Sequence, residues 1–338
     1  MNGGFILCFT LFRYQEQARK TSVQQSSNGV MVIPPPVPRP IDELPVKCAT
    51  PQLVFYKLET TGFGTGAEII QIAAVFEGKQ FSKYAMPSGE ISEAASKVNG
   101  FKKNRGELCQ WSKNINCVSI FEVIHQFINF CKQSVGGNVL LITNSGQSVA
   151  PILVNRVLQC KLLPEFVRVV LGFSDSMRAF KSAYVYKGAV PDKSFSLEKM
   201  AQYFLSNKFD LRYALEKSTA LQQLVYQCGI SIAVLLEHSD QVARVVQIVR
   251  QWQEKVDNIG SLEPLKDYVS QMILERIASS GLNYGHLRSV YRHGGLPELT
   301  KVLGKLDENG KVRVTNYDDI IHAIAVAIEQ QEKIRSFN

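Results

Sequence analysis

Leu53-Val54-Phe55-Tyr56-Lys57-Leu58-Glu59-Thr60-Thr61-Gly62 passes from an apolar run into a Lys and a Glu set two positions apart. An apolar run closed by Thr-Thr-Gly reads as a buried strand ending in a turn. Residues two apart on a strand share a face, so Lys57 and Glu59 point to the same side. Glu59 offers a carboxylate to a divalent cation. Lys57 has no lone pair to give and repels the same ion.

Outward from this segment, strands are expected at 52–58, 68–76, 79–86, 138–144 and 167–172. Val118 to Ser134 carries apolar residues at Ile120, Val123, Ile124, Phe127, Ile128 and Cys131, a helical period. Ser194 is the expected N-cap of a later helix whose apolar face starts at Leu197. Strands interleaved with helices are the α/β pattern. Beyond Gly229 the chain turns helical at 230–256, 265–277 and 316–337, the last with Ile320, Ile321, Ile324, Ala325 and Ile328 on one side. These helices either pack on the sheet or present a surface to a protein partner. The expected organisation is therefore 1–50 as a disordered segment and linker, 51–229 as the α/β domain and 230–338 as a helical extension. Within the linker, Pro34, Pro35, Pro36, Pro38 and Pro40 give polyproline II character. A proline-rich ligand for an SH3-like partner is the alternative reading, with Arg39 as its basic flank.

The 338 residues carry 38 Lys+Arg against 30 Asp+Glu, a net charge of +8 that favours affinity for phosphate. Lys102, Lys103 and Arg105 form a local basic cluster, read as a solvated loop. Seven scattered cysteines contain no CxxC pair and no zinc spacing, as reduced thiols of a cytosolic or nuclear protein would. The apolar stretch at 4–12 lacks a basic flank, so neither a secretory signal nor a membrane span is expected there.

Further blocks fall into order around the first. Glu68-Ile-Ile-Gln-Ile-Ala-Ala-Val75 follows as a second strand, Phe81 to Pro87 as a third, and Val98-Asn-Gly100 as a short turn. Leu140-Leu-Ile-Thr-Asn-Ser-Gly-Gln-Ser-Val-Ala-Pro-Ile-Leu153 comes next, then Phe173-Ser-Asp-Ser176, Ser194-Phe-Ser-Leu197 and Arg212-Tyr-Ala-Leu-Glu-Lys217. Together they resemble the motifs of the DEDDh 3′–5′ exonucleases, a ribonuclease-H-like superfamily. Ser194 to Leu205, the following helix to Leu236 and Leu282-Asn-Tyr-Gly-His-Leu through Gly294-Gly-Leu also resemble the exonuclease-like C-terminal region of promyelocytic leukaemia protein and its stand-alone relatives. The RING, B-box and coiled-coil parts of that protein are not seen here, so its ligase function is not expected.

The resemblance implies a mixed sheet flanked by helices and a site at Lys57, Glu59, Val149, Arg212 and Lys217. It also implies that Lys57, Val149 and Lys217 stand where the family has aspartates, and Arg212 where it has the histidine base. Only Glu59 is retained. Lys57, Thr60, Asn144, Arg212 and Lys217 are the expected nucleic-acid contacts. Among Glu59, Lys57, Lys217 and Arg212 the formal charge is about +2, and a divalent ion would meet about 4 kcal/mol of repulsion per unit-charge pair at ~4 Å and an effective dielectric of ~20. Arginine does not give up its proton to act as a base. The expectation is an inactive exonuclease fold, without cofactor, that binds nucleic acid weakly or serves as a protein-interaction module. The alternative is a weak exonuclease on single-stranded DNA or RNA ends using Mg²⁺ or Mn²⁺. A nuclear or cytoplasmic location fits either.

Overall fold

A computed structural model describes residues 33–34, 46–48, 50–64, 66–183, 194–206, 208–306 and 310–337. Most of the proline-rich linker lies outside the described residues. The chain divides into two compact units, one of residues 41–249 and one of 1–40 with 250–338.

In the larger unit, β1 (Gln52–Thr60), β2 (Ile69–Phe76) and β3 (Lys79–Tyr84) form an antiparallel meander. β7 (Val139–Thr143) and β8 (Val170–Asp175) run parallel to β1, and β9 (Ser239–Gln241) closes the far edge antiparallel. The sheet order is β3-β2-β1-β7-β8-β9. This mixed sheet flanked by helices is the ribonuclease-H-like architecture expected from the resemblance. Every residue of β2 and β7 is buried, because helices cover both faces.

Alternation along β1 sorts its side chains between two cores. Val54, Tyr56 and Leu58 join a cluster with α2 (Ile120–Asn129), α3 (Gly146–Gln159) and α4 (Leu163–Val169). Phe55 faces the other way, into a cluster with α5 (Ser176–Ser182), α6 (Leu197–Leu205), α7 (Ala214–Gln227) and α8 (Ile232–Glu237). Lys57 and Glu59 share the parity of Phe55. They are therefore carried on the α7 side.

Several expectations need correction. The N-cap of α6 is Ser196, whose hydroxyl accepts from Lys199 N at 3.3 Å, while Ser194 Oγ accepts from Ser196 N. The segment 230–249 is not part of a separate helical extension, since β9 pairs with β8. Val242, Val245, Val246 and Val249, on the first half of α9 (Val242–Ser261), also enter the core of the sheet. The segment before residue 51 is fixed in part: Val46 is buried and its N–H donates to Ser239 Oγ at 2.9 Å. Gly172 permits this approach, because a Cβ there would meet Asp240 O at 2.3 Å and Val46 Cγ2 at 2.5 Å.

Residues 101–115, where Lys102, Lys103 and Arg105 were read as a solvated loop, form a second sheet of β4 (Phe101–Asn104), β5 (Glu107–Gln110) and β6 (Lys113–Ile115). Lys102, Lys103 and Arg105 belong to its first hairpin. The block Val98-Asn-Gly100 is the end of α1 (Glu93–Asn99), with Gly100 as a left-handed C-cap at φ 73°. Both hairpins turn through residues of positive φ, Arg105 and Gly106 at 49° and 85°, Trp111 and Ser112 at 49° and 69°, as two-residue turns matched to strand twist require.

The second unit centres on α10 (Gln271–Ser279), α11 (Tyr284–Gly304) and α12 (Asp318–Phe337). Asn283 and His286 form a reciprocal capping box that starts α11, with His286 N donating to Asn283 Oδ1 at 2.9 Å and His286 Nδ1 accepting from Asn283 N at 3.3 Å. Burial, with Arg313 nearby, lowers the His286 pKa, which suits a ring that accepts. Arg288 and Arg292 both bind Glu332, tying α11 to α12. No helix among the described residues is long and apolar enough to cross a membrane.

Ser112 occupies a backbone conformation that costs an L-residue about 1–2 kcal/mol and that glycine adopts freely. Ser112→Gly is therefore expected to raise the melting temperature of the larger unit by about 2–4 °C. Gly100→Ala should lower it, because the new Cβ would lie 2.3 Å from the Trp111 ring. Thermal melts of the two variants beside the parent chain check both signs.

Candidate functional site

The site begins at the end of β1. Glu59 pairs with Gln71 across the β1–β2 ladder, and the register shifts between Glu59 and Thr60, where the strand leaves the sheet. α7 lies over this end. Tyr213 is its N-cap, and Ala214, Lys217, Ser218, Leu221 and Leu224 line its buried face. Ser218 Oγ donates to Ala73 O at 3.4 Å and Ala214 O at 3.0 Å, which fixes the rotation of the helix on β2. With α7 so placed, Lys217 points at β1.

Lys217 Nζ donates to Glu59 Oε1 at 2.8 Å, and each residue is only 5% exposed. The Glu59 carboxylate is thus paired with an ammonium. Lys57, half-buried on the same face, feels both partners. Burial lowers its pKa, the like charge of Lys217 lowers it further, and Glu59 and Glu198 oppose the shift. Glu198 stands in the first turn of α6. The result is one neutral buried pair beside one partly desolvated cation.

The other expected residues do not all join this group. Arg212 is exposed and forks onto Asp210, with Nε to Oδ1 at 2.9 Å and Nη2 to Oδ2 at 2.7 Å. Those hydrogen bonds hold the Asp210 carboxyl below its ordinary range. The local charge is accordingly about +1 rather than the +2 counted without Asp210. Val149 packs against the cluster that contains Tyr56 and Leu58, a purely apolar contact. Asn144 is buried and structural in its bonding: Nδ2 donates to Phe195 O at 3.3 Å and Oδ1 accepts from Ser145 Oγ at 3.3 Å. Thr60 Oγ1 donates to Gly62 O at 2.8 Å, and its carbonyl accepts from Asn99 Nδ2 at 3.1 Å. Asp175, the acid nearest in sequence to the Val149 motif, caps α5 by accepting from Met177 N at 3.0 Å.

Two residues escaped the sequence reading. Asp210 was legible in principle, two positions before an arginine. Trp111 was not: it comes from the second hairpin, and its ring centroid lies 5.8 Å from the Arg212 guanidinium, as does that of Tyr213.

The divalent ions of a DEDDh centre do not fit these residues. Such ions take several oxygen ligands, and Glu59 already accepts from Lys217. Among the described residues no three His, Cys, Asp or Glu side chains cluster.

Breaking a buried pair leaves a bare charge in the interior, at a cost of about 3–5 kcal/mol. Lys217→Met and Glu59→Leu should each destabilise by that amount, whereas the double variant should recover most of the loss, as denaturant titration of the three proteins will show. Lys57 has its own pH signature. The unfolded chain returns it to 10.5, so between its depressed native value and 10.5 the unfolded state holds the extra proton and stability from this group rises with pH. Lys57→Met is expected to flatten that rise and to raise the melting temperature below the window.

Two family descriptions match the chain: the Exuperantia RNAse H-like domain over residues 52–204 and the PML C-terminal domain over 258–331. A solved structure of exonuclease X in complex with 5′ overhanging duplex DNA aligns with a TM-score of 0.33 at 14% identity, over 55% of this chain and 98% of that one. No curated protein matches. The chain is thus similar to the Exuperantia RNAse H-like domain over residues 52–204 and to the PML C-terminal domain over 258–331.

Proposed function

We propose that the exonuclease-like domain binds single-stranded nucleic acid without hydrolysing it. The observation that carries this reading is the 2.8 Å bond between Lys217 and Glu59 in the buried site. Two-metal hydrolysis needs carboxylates that hold ions against the attacking and leaving oxygens. Here the remaining carboxylate neutralises a lysine, and Arg212 cannot serve as a base. What the site can offer a phosphate is the charge of Lys57, which Lys217 and Glu59 do not cancel, with the +8 balance of the chain behind it. Binding of this kind is weak, indifferent to sequence and governed by counterion release.

A labelled single strand separates binding from cleavage. Incubation with Mg²⁺ or Mn²⁺ is expected to leave it intact, and fluorescence anisotropy should give the same affinity with chelator as with Mg²⁺ at matched ionic strength. Affinity should fall with salt by about 0.7 log units per log unit for each phosphate contact, and Lys57→Met should remove about one such contact. The pH dependence opposes that of stability: affinity should decline as Lys57 discharges below 10.5. Metal-dependent shortening of the strand would overturn the reading in favour of a weak exonuclease. Absence of binding at low salt would leave a protein-interaction role.

A further inference from the structure

Pro34 lies 279 positions before Arg313 in sequence, yet Arg313 Nη2 donates to Pro34 O at 2.9 Å. The same nitrogen donates to Ser280 O at 2.8 Å, at the C-terminal end of α10. Ile33 packs against the apolar core of this second unit. Neither residue belongs to a helix or strand. Packing of Ile33 and the bond to Pro34 O are therefore what fix their place.

The two residues form one wall of a cavity of about 650 Å³, within the ~300–1,000 Å³ usual for ligand pockets. α11 breaks beside it at Gly295, where φ 60° and ψ −153° depart from helix. Val290 lines the cavity before the break and Val302 after it, so with Ile33 and Pro34 much of the wall is apolar. Arg313, Lys301 and Lys305 add N–H donors to the same wall. The sequence holds a segment of matching chemistry. Pro34-Pro35-Pro36 carries three successive carbonyls and no N–H. Such a run can be met by donors but gives none to a strand ladder. Consecutive prolines also have little conformational freedom left to lose on entering a groove.

We infer that the α11 cavity is a binding site for a proline-rich peptide with an apolar residue before its first proline, and that the chain's own Ile33–Pro34 occupies its edge in cis. The arrangement makes the site self-occupied: a free peptide of the same chemistry must displace the tethered one. This site lies in the unit similar to the PML C-terminal domain. It is independent of the nucleic-acid reading, which concerns the larger unit.

The probe is a fluorescein-labelled synthetic peptide of residues 31–40, Met-Val-Ile-Pro-Pro-Pro-Val-Pro-Arg-Pro. Its anisotropy is followed with the full parent chain and with the full chain carrying Ile33→Asp, which removes the apolar anchor of the cis segment. The peptide is expected to bind the Ile33→Asp chain roughly 10-fold or more tighter than the parent, because a tethered competitor acts at high effective concentration. Ile33→Ala should give the same order of affinities, which guards against a folding defect in the aspartate variant. Ser289 also lines the cavity, and Ser289→Trp added to the Ile33→Asp chain should abolish binding by filling it. A peptide carrying Ile33→Asp should bind none of these proteins. Failure of the parent peptide to bind either Ile33 variant would overturn the site. Equal affinity for the parent chain and both variants would overturn occupation in cis. Binding that survives Ser289→Trp would put the peptide outside the cavity and overturn the inference as well.

Discussion

A charged group closed between a sheet and a helix must be neutralised in place, and in this protein Lys217 and Glu59 do that for each other. Their contact sets the terms for the rest of the site. It occupies the Glu59 carboxylate with an ammonium at 2.8 Å. It also fixes α7 against β1 with a bond that has no apolar substitute on one side alone.

Lys57 is the element that stability does not explain. A cation whose proton is held less firmly in the folded protein than in the unfolded one opposes folding at neutral pH. Such a residue is a reasonable place to look for function.

The central sheet was legible from its apolar runs, and the meeting of β1 with α7 from the resemblance, which matches Glu59 and Lys217 to one site. Lys57 and Glu59 share a strand face by alternation. What was illegible depended on contacts between distant segments. β4 to β6 lack sustained apolar alternation, and Trp111-Ser112 carries none of the Asn-Gly or Asp-Gly chemistry that signals such a turn. The domain boundary was placed at Gly229 because 230–256 reads as one amphipathic helix. Three residues of that stretch instead form β9, and four valines of α9 belong to the sheet's core. Ser194 and Ser196 are equally good caps by composition, and only the hydrogen bond to Lys199 N separates them. Arg212 was recognised as a cation, but its partner decided what it does.

The central sheet ends in two unlike borders. At one, β9 has three residues, and Asp240 within it is bound by Arg244 from the following helix. At the other, β3 carries exposed Lys79 and Lys83, with Lys79 Nζ donating across to Ser134 O at 2.5 Å. A stub and a row of lysines are both poor templates for another strand. The central sheet is thereby guarded against growing by edge-to-edge addition.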